Sequence, residues 1–201
     1  QVWEGFSYKP GQKPLLPGGS ATAGKNTTEI CMKVNDWVYR KREISRSYVN
    51  LLLNAKKEVI IMSSYFLPGK AIRRQIAKAA ARGARIKIVT TGFSDVVVSK
   101  LAERWLYDWL LRKGAEIYEY KKNVVHAKIA VFDGQVVTAG SYNINNISAH
   151  ASIELNLDVH DEEIAGAACH VLNGIILNDC EHITPEKHLR SKNIFRQFAR
   201  R

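Results

Sequence analysis

The sequence predicts an α/β fold, a three-layer α/β/α sandwich around a mixed, largely parallel sheet. Three observations carry that prediction. Apolar runs with strand character alternate with helix-period stripes between residues 43 and 120. An Asp-Gly pair at 133–134 separates two further apolar runs, and an apolar helix with acids at its start closes the pattern after residue 160. Strand, helix, strand, helix, strand at these spacings is the signature of βαβ crossovers and hence of parallel pairing.

Residues 1–27, rich in Pro, Gly and small polar residues, read as a linker or extended arm, with Trp3, Phe6 and Tyr8 able to pack on a neighbour. The folded domain is expected over 28–185. Its first helix runs from about Glu43 to Lys57, with Ile44, Tyr48, Leu51, Leu52 and Ala55 on one stripe. The run VIIMSSYF (59–66) reads as a buried strand. A basic-faced helix follows, with Ile72, Ile76 and Ala79 inward, Arg73, Arg74 and Lys78 toward water, and Gly83 placed to end it. RIKIVTT (85–91) is the next strand. A long helix is expected after Ser94, a good N-cap, ending at Gly114, and EIYEY (116–120) is a third strand. Asp133-Gly134 suits a tight hairpin between two more strands. SIELNLDVH (152–160) alternates with period two, and Asp161, Glu162 and Glu163 favour the N-terminus of the last helix. Residues 186–201 form a basic tail, with six Lys or Arg and no acid from Lys187 onward. Ile194 and Phe198, four apart among those cations, make it weakly amphipathic. There is no internal repeat.

The 201 residues suit one domain able to bury a core. A formal charge of +11 favours polyanions: nucleic acid, anionic lipid headgroups or phosphorylated small molecules. No apolar run is long enough to span a bilayer and no secretory leader opens the chain. A start at Gln1 and a linker-like opening lead us to expect a piece of something longer. Cys31, Cys169 and Cys180 cannot all pair and show no CxxC spacing, so they are expected reduced and buried. Cys169-His170 and Cys180-x-His182 fit no common zinc pattern, and helix packing is the better reading. The sequons at Asn26 and Asn146 carry little weight without secretion.

The stretch HAKIAVFDGQVVTAGSYN (126–143) is the exception to this ordinary composition. Residues two apart on a strand share a face, so His126 and Lys128 are expected to project together, with small Ala130 beside them. Asp133 has the opposite parity and sits at the turn, where it holds the hairpin by accepting hydrogen bonds. Ser141 and Asn143 share a face on the adjoining strand. Imidazole can attack or shuttle a proton near neutral pH. Lysine and asparagine can stabilise charge on phosphoryl oxygens. Glu154, on the following strand, can orient the imidazole by accepting its second N–H. Ser141 lacks a GxSxG elbow and is a phosphate or framework donor rather than a nucleophile.

These residues resemble the phospholipase D superfamily. HAKIAVFD matches its HxKx4D signature, GSYN its GSxN element, and Glu154 lies where the family places its histidine-orienting acid. Residues 43–160 further resemble the C-terminal half of bacterial cardiolipin synthases, through LLLNAKKEVIIMSSYFLPGKAI, AAARGARIKIVTTGFSD, GAEIYEY and ASIELNLDV. That half ordinarily continues GSxN-L-D-x-R-S. Here GSYNINNIS has Asn145 and Ile147 at the Asp and Arg positions, sparing the catalytic groups but weakening the substrate assignment.

The resemblance implies phosphatidyl transfer between phospholipids through a phosphohistidine, with two HxK motifs sharing one phosphorus and no cofactor or metal. His126, Lys128, Asn143 and Glu154 would be catalytic, with Asp133 and Ser141 supporting. The chain carries one motif, so its partner would be an N-terminal half or a second copy. In the first case the resemblance implies His126 as general acid; in the second either role is open to it. The implied substrate is an anionic phospholipid, met by peripheral contact at the cytoplasmic face of a membrane. Phosphodiester cleavage of nucleic acid by a homodimer is the alternative.

Overall fold

The computed structural model describes residues 28–93 and 96–190. In chain order the elements are β1 (Glu29–Asp36), β2 (Lys41–Arg42), α1 (Glu43–Asn54), β3 (Glu58–Ser63), α2 (Lys70–Ala81), β4 (Arg85–Thr91) and α3 (Val97–Arg112), followed by β5 (Glu116–Tyr120), β6 (Lys128–Phe132), β7 (Val136–Gly140), α4 (Asn146–His150), β8 (Ile153–His160), α5 (Glu162–Asp179) and β9 (Cys180–Ile183). They form one mixed sheet in the order β2-β1-β8-β7-β6-β3-β4-β5-β9. Only β3–β4 and β4–β5 pair in parallel, so the sheet is mixed as expected but not largely parallel. The reason lies after β5. The Asp133-Gly134 hairpin inserts β6 antiparallel beside β3, and β7, β8 and β1 continue outward antiparallel. Two crossover helices can make only two parallel pairings.

Helices cover both faces. Ile44, Tyr48 and Leu52 of α1, Ile72, Ile76 and Ala79 of α2, and Tyr107 and Leu110 of α3 share one apolar cluster with Ile61, Ile86, Ile88, Ala130 and Phe132 of the sheet. On the opposite face Ala165, Leu172 and Ile176 of α5 pack on Ile60, Val89, Val131 and Val137. Each fully buried Ile or Leu contributes about 1.5–3 kcal/mol of burial energy.

Local chemistry sets the boundaries. Gly83 follows α2 at φ +94°, a left-handed conformation open to glycine. Arg82 reaches back from the end of α2 to the Leu52 and Ala55 carbonyls at 2.9 and 3.1 Å, satisfying the last turn of α1. Asp161 caps α5 by accepting from the Glu163 and Ile164 amides. The expected cap Ser94 lies outside the described residues; α3 begins at Val97. The arm at 1–27 and residues 191–201 of the basic tail, with Ile194 and Phe198, also lie outside them. Residues 185–190 are helical.

β1, β2, α4 and β9 were not expected. The three cysteines are free and half-buried rather than buried. Cys169 packs beside Glu58, whereas His182 stacks on the Tyr118 ring with centroids 4.9 Å apart. No helix among the described residues is long and apolar enough to cross a membrane.

Candidate active site

The chemistry-bearing residues collect at the end of the sheet where parallel β3, β4 and β5 finish, the usual position for ligand sites in open α/β sheets. Antiparallel β6 and β8 begin at that end and β7 finishes there. The register carries beyond the strands: the Ser64 amide donates to the Ala127 carbonyl at 3.2 Å, and the Ser141 amide to the Leu155 carbonyl at 2.9 Å.

His126 lies two residues before β6, exposed to solvent. Lys128 is half-buried, and pairing with Ser63 directs it with Ala130 toward the α1 and α2 layer. Its Nζ donates to the His126 carbonyl at 3.0 Å and to Ser64 Oγ at 3.3 Å. Burial holds the ammonium below its ordinary pKa, and the carboxylate of Glu154 opposes that shift. Glu154 therefore acts on Lys128 electrostatically. Its own oxygens accept from Ser141 Oγ and, at 2.8 Å, from Ser152 Oγ. Among the described residues no hydrogen bond joins Glu154 to the His126 ring.

Gly140 ends β7 where it crowds β8. A Cβ there would meet the Leu155 carbonyl oxygen and lie 2.7 Å from the Asn156 Cα, so only glycine fits. Ser141 locks that approach, since its Oγ also accepts from the Leu155 amide at 3.1 Å. Tyr142 is buried to 1% exposure, its ring 5.8 Å from that of Tyr48 and its hydroxyl 3.3 Å from Ser45 Oγ. Asn143 follows, half-buried, its Oδ1 shielded from solvent and without a hydrogen-bond partner among the described residues. Asn145, at the position that departs from the family pattern, caps α4 by accepting from the Ser148 amide at 2.8 Å. Ile147, the second departure, is exposed.

Asp133 stands at the other end of the hairpin. At φ +54° it accepts from the Lys56, Lys57 and Glu58 amides at 2.9, 2.8 and 3.0 Å, joining the turn to the α1–β3 connection. The sheet thus separates it from His126, Lys128, Ser141 and Glu154.

A second charged group sits beneath this site, unforeseen in the sequence. Lys100 Nζ lies 2.9 Å from Glu119 Oε1 and 3.0 Å from the Tyr107 hydroxyl, and it donates to the Thr91 carbonyl. Glu103 accepts from the Phe66 amide at 2.7 Å. Thr91 Oγ1 in turn lies 3.4 Å from the amide of Val125, the residue before His126. Burial pushes the Glu103 carboxyl up to about 7 despite Lys100. Burial works the same way on Glu119, but Lys100 and Arg104 outweigh it and hold that carboxyl below its ordinary value. The available signal was the i, i+3, i+7 spacing of Lys100, Glu103 and Tyr107, one polar stripe on a helix.

An exposed imidazole can carry a proton, and a neighbouring ammonium in a partly dry setting can meet a phosphoryl oxygen. Among the described residues no group of three or more His, Cys, Asp or Glu is gathered to hold a metal ion.

Comparison with known proteins gives the same direction. The family described as "Cardiolipin synthase, PLD-like domain" matches residues 48–174, which include every site residue named above. Cardiolipin synthase B of Salmonella typhimurium is 37% identical over 141 residues, covering 70% of this chain and 34% of that protein. The Escherichia coli K12 enzyme of the same name is 36% identical over the same length. The chain thus spans about a third of these relatives. Among solved structures, Nuc of Salmonella typhimurium, a phospholipase D family member, matches with a TM-score of 0.64 at 15% identity, over 79% of this chain and 99% of Nuc. Phosphatidylserine synthase of Haemophilus influenzae also matches at 0.64 and 15%, over 87% of this chain and 46% of its own. At such identities these two speak to the fold alone. The extent of the family match, with HxKx4D and GSxN intact inside it, places the chain in the family of cardiolipin synthase phospholipase D-like domains.

Proposed function

We propose that this chain supplies one HxK half of a phosphatidyl transferase that joins phospholipids through a phosphohistidine. The observation that carries the reading is the gathering of His126, Lys128, Ser141, Asn143 and Glu154 at one end of the sheet, with the imidazole open to solvent. One histidine of the pair attacks phosphorus, forming an N–P bond as the P–O bond to the first alcohol breaks. The other histidine gives its proton to the departing alkoxide. It then takes the proton of a second hydroxyl, whose oxygen forms the new P–O bond as N–P breaks. Lys128 neutralises charge on the phosphoryl oxygens, the Asn143 side-chain N–H groups donate to them, and Glu154 favours the charged form of Lys128 and holds Ser141 in place. Beside an N-terminal HxK half, His126 is the proton donor.

Two further features support a missing half. The chain spans about a third of its cardiolipin synthase relatives. One face of β1 and β8 also leaves Ile30, Met32, Ile153, Leu155 and Leu157 exposed, a patch of the kind that marks an interface. The net charge of +11 suits an anionic bilayer, where each Lys or Arg near the surface adds about 1 kcal/mol. Peripheral binding at the cytoplasmic face is the corresponding location.

The test is to incubate the full-length protein with phosphatidylglycerol in chelator and follow cardiolipin and glycerol by mass spectrometry. We expect both products, and their loss by about a thousandfold in His126→Ala. Cleavage of DNA with the lipid untouched would give the site to nucleic acid instead.

A further inference from the structure

A cavity of about 490 Å³ opens between α1, the start of α2 and α4, on the same end of the sheet as the HxK residues. Its charge is one-sided. Arg42 enters from the end of β2, Arg46 from α1, Lys70 from the first turn of α2 and His150 from the end of α4, and no acid lines it. The nearest acid of α1, Glu43, is occupied in accepting from the Val34 amide at 3.0 Å. Among the described residues no carboxylate forms an ion pair with Arg42, Arg46 or Lys70. Three exposed cations surround a concave space with no ion-pair partner inside it, which suits an external anion; Arg46 also borders a neighbouring cleft that Glu43 and Asp158 line.

The rest of the lining narrows the anion. Lys70, Ala71 and Ile72 form the first turn of α2, which has no side-chain cap, so its amides add donors at the cavity wall. Val49 and Ile72 supply apolar wall beside the cations. A cavity that is cationic on one side and apolar on another takes an amphiphile rather than a bare ion. Tyr142 lines it as well, and Tyr142 separates Ser141 from Asn143. The cavity wall is therefore one residue away from Ser141 and from Asn143.

We infer that this cavity is an accessory site for the phosphate group of an anionic amphiphile, held by Arg42, Arg46 and Lys70 and distinct from the His126 and Lys128 set. The inference does not need the proposed transfer reaction. A lipid phosphodiester and a free phosphate share the recognised chemistry, and the experiment separates them.

Arginine footprinting with phenylglyoxal, read by mass spectrometry on the full-length protein, tests it. The three arms are inorganic phosphate, phosphatidylglycerol vesicles and phosphatidylcholine vesicles. We expect phosphatidylglycerol vesicles to slow modification of Arg42 and Arg46 about tenfold, the span of one charge-assisted contact. Arg74, exposed on the outer side of α2, serves as the reference and stays reactive. Protection by inorganic phosphate as well would identify the phosphate group itself as sufficient; protection by anionic vesicles alone would identify the lipid. Lys70→Gln should reduce either effect, whereas Arg74→Gln should not. Equal protection of Arg74, or none at Arg42 and Arg46 in every arm, overturns the site. His126→Ala should leave the footprint intact while removing turnover, so failure of the transfer reading and failure of this one are told apart.

Discussion

Lys128 donates to the carbonyl oxygen of His126 at 3.0 Å, so the cation of the HxK pair braces the backbone that carries the imidazole. The same ammonium feels Glu154 across the sheet end. Removing that carboxylate should expose the full effect of burial. In Glu154→Gln the Lys128 pKa is expected to fall further below that of an ordinary lysine, measured by NMR titration of the Nζ resonance. An unchanged value would mean that Glu154 does not act on Lys128.

Gly140→Ala tests the close approach of β7 to β8. The added methyl collides with backbone atoms of Leu155 and Asn156, which cannot rotate away. We expect a loss of about 3 kcal/mol in denaturant unfolding, at the upper end for overpacking. Wild-type stability in the variant would refute the packing argument.

Asp133→Ala removes the two oxygens that accept from three amides, at the end of the hairpin away from His126. A cost of about 1–2 kcal/mol follows, because the half-buried Glu58 amide is left unpaired while the exposed Lys56 and Lys57 amides can turn to water. Activity per folded molecule should stay near that of the parent, which separates Asp133 from the residues proposed to be catalytic. A large drop in turnover at full folding would place it in the chemistry.

Glu103 gives the stability a pH dependence. Its folded pKa, raised to about 7 from the ordinary 4.5, means that the folded chain keeps a proton the unfolded chain releases. Its contribution is full below 4.5 and is lost as pH rises through 7. The cost across that window is on the order of 3 kcal/mol. Glu103→Gln should flatten the slope between pH 4.5 and 7 in thermal unfolding. Glu119, whose folded pKa is lowered, has the opposite sign: its stabilisation is present above 4.5 and lost as pH falls through its lowered value.

The interior strands and the hairpin were legible because their signals are local. RIKIVTT and EIYEY are continuous apolar or alternating runs, and they are β4 and β5 to the residue. Asp133-Gly134 carries a turn chemistry that needs no partner to be recognised, and both residues adopt positive φ. What stayed hidden depends on neighbours. β1 alternates Ile30, Met32 and Val34 with Cys31, Lys33 and Asn35, but its apolar side is largely exposed, so hydrophobicity alone did not mark it. β9 is four residues long and exists by pairing with β5. The share of antiparallel pairing follows from where β6 inserts, which no single segment encodes. In the site, motif spacing brought His126, Lys128, Ser141 and Glu154 to one end of the sheet. The preference of Glu154 for Ser141 and Ser152 needed coordinates, as did the Lys100–Glu119 pair below.

In GSxN the third letter is a wildcard, yet in this chain it is the anchor of the whole loop. Tyr142 is pinned between Tyr48 and Ser45, while Ser141 and Asn143 stand on either side of it. Retuning this loop by varying its most permissive letter would therefore unmoor both neighbours together. Freedom to evolve new specificity lies instead at exposed Asn146 and Ile147, where a changed side chain disturbs no core.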